Sequence, residues 1–371
     1  MIATVLGTRP EIIKMSRLIP MLDTSFDHTL IYTAQHYSPN MSDVFFEELG
    51  VRTPDVNLHA DSSDPGALKA RVLATLEKLR PDYVLAHGDT NTALAAALAA
   101  RELRIPVIHA EGGGRSFDAR MPEEANRKQV DHLSEIIFTE TQFSKRQLAR
   151  EGITRNVFVV GLTSVDIALR NREKAAKSQA LKRLELAPRG YSLLTMHRHE
   201  NIDDRECLAR LLSAFREVPG KIVWPVHPHT QKNMDEWGLA APANVLSIPP
   251  QGSMDFLKLL MEAKMLLTDS GGAVQEAVAL KVPCLMIRDS TEMQETMMNG
   301  NCILTGTNPR LISYFARMIE ETELGERMRR AKNPYGDGTT SEKIHAILVR
   351  KLGEKKTKRA RPKAPAGFAS S

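Results

Sequence analysis

Cysteine is nearly absent from this sequence: Cys207, Cys284 and Cys302 are the only three in 371 residues. Their odd number and scattered spacing exclude a disulfide framework and a cysteine metal motif, and point to free thiols in a reducing cytoplasm. Long apolar runs are missing too, so no segment is expected to cross a membrane. The opening residues Met1 to Gly7 are too short and uncharged for a signal peptide and read as a first strand. No G-x-G-x-x-G occurs, which leaves a dinucleotide cofactor unsupported. No H-E-x-x-H occurs either, and no acid–histidine spacing resembles a zinc site.

The body of the chain also lacks net charge. The formal total is +5, but the end alone carries Lys355, Lys356, Lys358, Arg359, Arg361 and Lys363 against Glu354, so residues 1–352 are neutral. A neutral body argues against a nucleic-acid-binding domain, which would carry a basic face. The tail, residues 353–371, cannot build a core and is expected to be disordered; contact with a polyanion is open to it, but no specific nucleic-acid or membrane partner is expected.

What is present is a globular composition, 42% hydrophobic and 26% charged, in a chain long enough for two domains. Strand-like runs alternate with helical patterns, the signature of parallel α/β architecture. The first set is 2–6, 29–33, 83–86, 107–109, 136–139 and 157–160. A long helical and charged stretch, 165–186, follows. The second set is 192–195, 222–226, 245–247, 265–268 and 284–287. The reading is two Rossmann-like domains, 1–165 and 166–340.

Polar residues gather at the carboxyl ends of these strands, where open α/β sheets bind ligands. In the run 265–280, a strand is followed by Asp269-Ser270-Gly271-Gly272 and a helix expected to start at Ala273. Amides at a helix start lack intrahelical partners and two glycines let an anion come close, so this loop reads as a diphosphate cradle or as a plain βα turn. Arg9 at a strand–helix turn, with Lys14 a turn further on, suits phosphate or solvent. Asp89, in His87-Gly88-Asp89-Thr90, reads equally well as a functional carboxylate or as the cap of the alanine-rich helix after it. Glu111, before three glycines, caps nothing obvious. Glu123, beside Pro122 and Glu124 at a helix entrance, reads from the residues alone as structural. His197, Arg198 and His199 form one turn, which favours an anionic ligand. With His227-Pro228-His229 and Arg288-Asp289, seven strand ends across both halves are loaded in this way, which suggests a cleft with a charged ligand.

Taken together these segments resemble the non-hydrolysing UDP-N-acetylglucosamine 2-epimerases. The resemblance covers roughly residues 1–350. It rests on Gly-Thr-Arg-Pro-Glu (7–11), Thr-Ala-Gln-His (33–36), His-Gly-Asp-Thr-Asn-Thr (87–92), Pro-Glu-Glu-Ala-Asn-Arg (122–127), Pro-Val-His (225–227), Thr-Asp-Ser-Gly-Gly (268–272) and Asn-Pro-Tyr-Gly-Asp-Gly (333–338), in that order. It implies a GT-B architecture whose two domains face across a cleft, with a helix, 341–352, crossing back to the first domain. It implies epimerisation at carbon 2 without cofactor or metal, through elimination of UDP to a 2-acetamidoglucal and re-addition. By that resemblance Asp89, Glu111 and Glu123 are acid/base candidates, with a pKa expected to be raised, and His197 is the catalytic histidine. Arg9, Lys14 and Arg198 are substrate-binding cations; Ser270, Gly271 and Gly272 hold diphosphate, Glu276 the ribose, and Phe256 stacks on uracil. The resemblance implies a homodimer acting on a UDP-sugar.

The departures are Glu111-Gly-Gly-Gly-Arg115, where the family usually has Glu-Ala-Gly-Leu-Arg and which is expected to loosen that loop; His197-Arg198-His199-Glu200 for His-Arg-Arg-Glu; Glu292-Met293-Gln294-Glu295 for Glu-Arg-Pro-Glu; and Val274-Gln275-Glu276 for Gln-Glu-Glu. Gln35, Arg198 and His227 match a second, activating UDP-sugar site in bacterial members, but 59–68 has no arginine where those members supply one, so such activation is not expected. Other readings are a sibling epimerase on a UDP-diacetamido-uronic acid, a GT-B glycosyltransferase, or a catalytically silent UDP-sugar sensor.

Overall fold

The computed structural model describes residues 1–34, 46 and 50–353. Gln35 and His36 of the second motif, and the basic tail from Glu354 onward, lie outside the described residues. The chain divides into two compact units, Met1–Asp166 with the chain from Thr339, and Ile167–Gly338.

The first unit holds β1 (Ile2–Leu6), β2 (His28–Tyr32), β3 (Val56–Asn57), β4 (Tyr83–His87), β5 (Val107–Gly112), β6 (Ser134–Thr139) and β7 (Val157–Val159), in the order β3-β2-β1-β4-β5-β6-β7. All pairings are parallel. A parallel sheet needs both faces covered, and β1 is accordingly buried at every position. The alanines of helix Asn91–Glu102 pack on one face with Val5, Val84 and Ala86. Thr90 caps that helix, its hydroxyl accepting from Ala93 N at 3.1 Å. Asp89 is therefore not the cap, because the helix starts one residue later than the capping alternative requires.

Helix Thr340–Leu352 belongs to this first unit. Fully buried Asp166 fixes its start, accepting from Thr340 N at 2.9 Å, Ser341 N at 2.7 Å and Ser341 Oγ at 2.8 Å. Ile344 and Leu348 then enter the same core as Leu18 and Leu22. A carboxylate meeting helix-start amides is favoured by hydrogen bonding and by the helix dipole together.

The second unit holds β8 (Tyr191–Thr195), β9 (Lys221–Pro225), β10 (Val245–Ile248), β11 (Leu266–Thr268), β12 (Cys284–Met286) and β13 (Cys302–Leu304), again all parallel, ordered β10-β9-β8-β11-β12-β13. Its core is built on Trp224, Phe215, Leu267 and Leu285. Both sheets reverse their strand order beside the first strand, between β1 and β4 and between β8 and β11. Ligands of such sheets bind outside that switch point. β3 and β13 escape the sequence reading: β3 has two residues, one of them Asn57, and β13 follows a charged and polar stretch without an apolar run. The charged stretch 165–186 falls on two helices, Thr163–Ala176 and Ala180–Arg183. Among the described residues no helix is long and apolar enough to cross a membrane.

Candidate active site

In the first unit, the loops after β1, β4 and β5 meet through one ion network. Glu11 sits in the first turn of helix Arg9–Met15, and its Oε2 accepts from Gly7 N at 3.1 Å and from Thr8 N and Oγ at 2.8 Å. Its Oε1 accepts from Thr90 Oγ at 3.0 Å, tying the β1 loop to the β4 loop. Burial pushes the Glu11 carboxyl above its ordinary range, against the opposing pull of His87 and these donors. Gly7 is required by close approach: a Cβ there would lie 2.0 Å from Thr92 Oγ1.

Lys14, one turn along that helix, donates to Glu111 Oε2 at 2.6 Å. Thr163 Oγ donates to Glu111 Oε1 at 3.2 Å, and His87 Nε2 stands 3.3 Å from the same oxygen without hydrogen-bond alignment. The Glu111 side chain is only 7% exposed. Burial alone would raise its pKa, but Lys14 and then His87 outweigh burial and hold it far below the usual carboxylate range. The raised pKa expected of the acid/base carboxylates is thus reversed at Glu111, because a buried cation faces it. Burial pulls the Lys14 pKa down, but Glu111 together with Asp89 and Glu140 raises it on balance, so Lys14 stays charged. Glu111 also adopts φ +66°, a left-handed backbone that few non-glycine residues take and that costs about 1–3 kcal/mol.

The glycines after Glu111 do not loosen the loop. Residues 112–116 are all buried. Arg115 is buried in an ion pair with Asp131 at 2.8 Å and donates to Glu151 through Nε and Nη2. Asp131 also accepts from Gly113 N at 3.1 Å and pairs with His109 Nδ1 at 2.8 Å. Gly113 has φ +88°, and a Cβ on Gly112 would lie 2.5 Å from Asp131 Oδ1, so side chains there would break this packing.

Asp89, a third exposed, is held by Arg127, and Asn126 Nδ2 donates to the Asp89 carbonyl at 3.0 Å. Arg127 also donates to Glu124 at 2.7 Å, and Glu124 accepts from Ser116 N and Oγ. Half of the Pro-Glu-Glu-Ala-Asn-Arg motif therefore positions Asp89 and the Glu111 loop. Glu123 stands exposed in the first turn of helix Pro122–Leu133, with no side-chain ion pair or hydrogen bond among the described residues. Arg9 is exposed at the first position of its helix.

In the second unit, β8 and β11 are neighbours, with Thr195 opposite Thr268. The next residues on each strand therefore meet. Asp269 is fully buried, and its carboxylate accepts from His197 N at 3.1 Å, Arg198 N at 3.0 Å and Asn201 Nδ2 at 3.0 Å. Arg198 Nε returns a bond to the Asp269 carbonyl at 2.8 Å. The His197 ring is half exposed, with Nδ1 3.6 Å from Asp269 Oδ1, and lies 6.4 Å from the His227 ring. Burial, then the neighbouring histidines, push His227 below its ordinary pKa.

Helix Gly271–Ala279 begins two residues before the expected start, with Ser270 as its cap accepting from Ala273 N at 3.4 Å. Gly271 and Gly272 thus form its first turn, where amides are free of intrahelical partners. Gly272 is exposed, and a Cβ there would meet only Ser270 Oγ at 3.9 Å, whereas a Cβ on Gly271 would come 2.9 Å from Glu292 Oε1. Glu276 is half-buried on the next turn, and Phe256 is half-buried in helix Ser253–Met261. Sequence reading passed over Asp269, Glu11 and Asn201 as site residues; Asp269 carried a signal, being the first polar residue after a buried strand.

The chain matches the family described as UDP-N-acetylglucosamine 2-epimerase over residues 21–349. It is 41% identical over 366 residues to the UDP-N-acetylglucosamine 2-epimerase of Methanocaldococcus jannaschii, covering 94% of this chain and 98% of that one. It is 35% identical to the UDP-2,3-diacetamido-2,3-dideoxy-D-glucuronate 2-epimerase of Pseudomonas aeruginosa, covering 94% and 99%. Its fold matches the crystal structure of the M. jannaschii enzyme in complex with UDP-GlcNAc and UDP with a TM-score of 0.84 at 40% identity, covering 94% of this chain and 99% of that one.

Proposed function

The chain belongs to the UDP-N-acetylglucosamine 2-epimerase family, and we propose that it interconverts UDP-N-acetylglucosamine and UDP-N-acetylmannosamine without hydrolysis. The observation that carries the mechanism is the Lys14–Glu111 pair: the cation keeps a buried carboxylate ionised but weakly basic, and the carboxylate becomes an effective proton acceptor once Lys14 is drawn away. In the elimination, a carboxylate takes the proton from carbon 2, the bond from carbon 1 to the UDP oxygen breaks, and the electron pair forms the double bond of 2-acetamidoglucal. Re-addition reverses these steps on the opposite face, with a protonated acid delivering the hydrogen. We assign proton abstraction on one face to Glu111 and hold Asp89 and Glu123 as the donors around the other.

In the second unit His197 and Arg198 stabilise the departing UDP; in the first unit Arg9 and Lys14 are the substrate-binding cations. The first turn of helix Gly271–Ala279, with Ser270, holds the diphosphate through backbone amides and the helix dipole. Glu276 accepts from the ribose hydroxyls, and Phe256 packs on the uracil. No metal or nicotinamide takes part. The working form is a homodimer in the cytoplasm, supplying surface-polysaccharide or glycan synthesis.

Proton NMR of UDP-N-acetylglucosamine incubated with the protein in deuterated water tests this reading. UDP-N-acetylmannosamine carrying deuterium at carbon 2 is expected. Release of free N-acetylmannosamine would mean a hydrolase. An unchanged sugar that binds but turns over only as the diacetamido-uronic acid substrate would move the assignment to the sibling epimerase. A need for an acceptor would indicate a transferase, and binding without any turnover a sensor.

A further inference from the structure

We propose that the second unit carries a divalent transition-metal site formed by His199, Asp203 and His229, separate from the epimerisation chemistry. These three side chains offer ligand atoms that all lie within 4.8 Å of one another, and all three are exposed to entry from solvent. Asp203 stands between the histidines: one carboxylate oxygen is 2.5 Å from His199 Nδ1 and the other 2.7 Å from His229 Nε2. Two imidazole nitrogens and one carboxylate are a donor set suited to zinc, cobalt or nickel, with remaining positions open to water.

The site is supported from behind. Buried Asn233 donates through Nδ2 to Asp203 Oδ1 at 3.1 Å and to the Ile202 carbonyl at 2.8 Å, fixing the carboxylate. His229 N donates to His227 Nδ1 at 3.3 Å, within the cap of helix Pro228–Trp237. Such outer partners hold ligands in a set orientation. Sequence spacing does not announce the site, because His229 lies 26 residues beyond Asp203 and is brought to it only by the fold. His199 itself stands where the resembling family usually has arginine, so the ligand replaces a cation in this turn. A bound ion would join helix His199–Ile202 to helix Pro228–Trp237 at the base of the turn that presents His197 and Arg198.

The test uses the full chain without a histidine tag, titrated calorimetrically with zinc chloride, and with cobalt chloride while the visible spectrum is read. One saturable equivalent is expected, with a rise in thermal midpoint on binding. His199→Gln and His229→Gln should each weaken binding by about 10-fold or more. Both side chains are well exposed, at 85% and 43%, so the variants retain the fold, which circular dichroism checks. His132→Gln, an exposed histidine elsewhere, should leave binding unchanged. No saturable uptake of either metal would overturn the proposal, as would uptake undiminished in the two variants.

Discussion

Removing the cation from the Lys14–Glu111 pair gives a sharp test of how the first unit is held. Lys14→Met keeps the aliphatic stem but leaves the Glu111 carboxylate, 7% exposed, with only Thr163 and His87. Breaking a buried ion pair typically costs about 3–5 kcal/mol. Because Lys14 is 20% exposed, water reaches the vacated side, and the loss at neutral pH should fall at or just below the lower end, about 2–3 kcal/mol. The pH dependence distinguishes this from simple packing loss. In the native chain the Glu111 pKa is depressed, so its stabilisation is complete above the ordinary carboxylate value and is lost only as pH falls through the lower folded value. The Lys14 pKa is raised, so its contribution is complete below about 10.5 and fades only as pH rises through the folded value. Between these limits the native pair is insensitive to pH. In Lys14→Met, burial acts on Glu111 without its main opponent, its pKa rises, and proton uptake relieves the stranded charge. Urea unfolding at pH 8 and pH 5 should therefore show a variant penalty that shrinks on acidification. The double variant Lys14→Met/Glu111→Gln should recover much of the loss, with no such pH dependence. An equal penalty at both pH values would refute the buried-charge argument.

Other expectations follow from the same geometry. Asp89→Asn removes the carboxylate charge facing Arg127, and turnover should fall roughly 100-fold or more while UDP still binds; isotope exchange at carbon 2 and UDP calorimetry separate these effects. Ser270→Ala removes the cap of helix Gly271–Ala279 and should cost about 1 kcal/mol in stability, with UDP affinity weakened more than turnover at saturation. Asp269→Asn places an amide donor among three donors, so a loss of about 2–3 kcal/mol in stability and a lower turnover from a displaced His197 are expected in unfolding and rate measurements. Deleting residues 353–371 should leave epimerisation intact, as steady-state rates will show.

The strands were legible because parallel sheets bury both faces, so their sequences are almost unbroken apolar runs. The loops were legible because a polar residue directly after such a run marks a strand's carboxyl end. Helix boundaries were less so. The start at Gly271 hides behind two poor helix formers that only a serine cap and a tertiary setting make helical. What sequence could not give was pairing across the fold. Lys14 and Glu111 are 97 residues apart, and the burial that makes the pair consequential depends on β1, β4 and β5 lying side by side. The same pairing decides how Glu111 can act. As an acid/base candidate of the resembling family, Glu111 is expected to have a raised pKa, suited to giving up a proton. With Lys14 at 2.6 Å and Arg115 packing the glycines down, it is instead held ionised in a closely fixed backbone. On the proposed mechanism it would accept a proton only when Lys14 is drawn away, so that displacing the cation would raise its basicity.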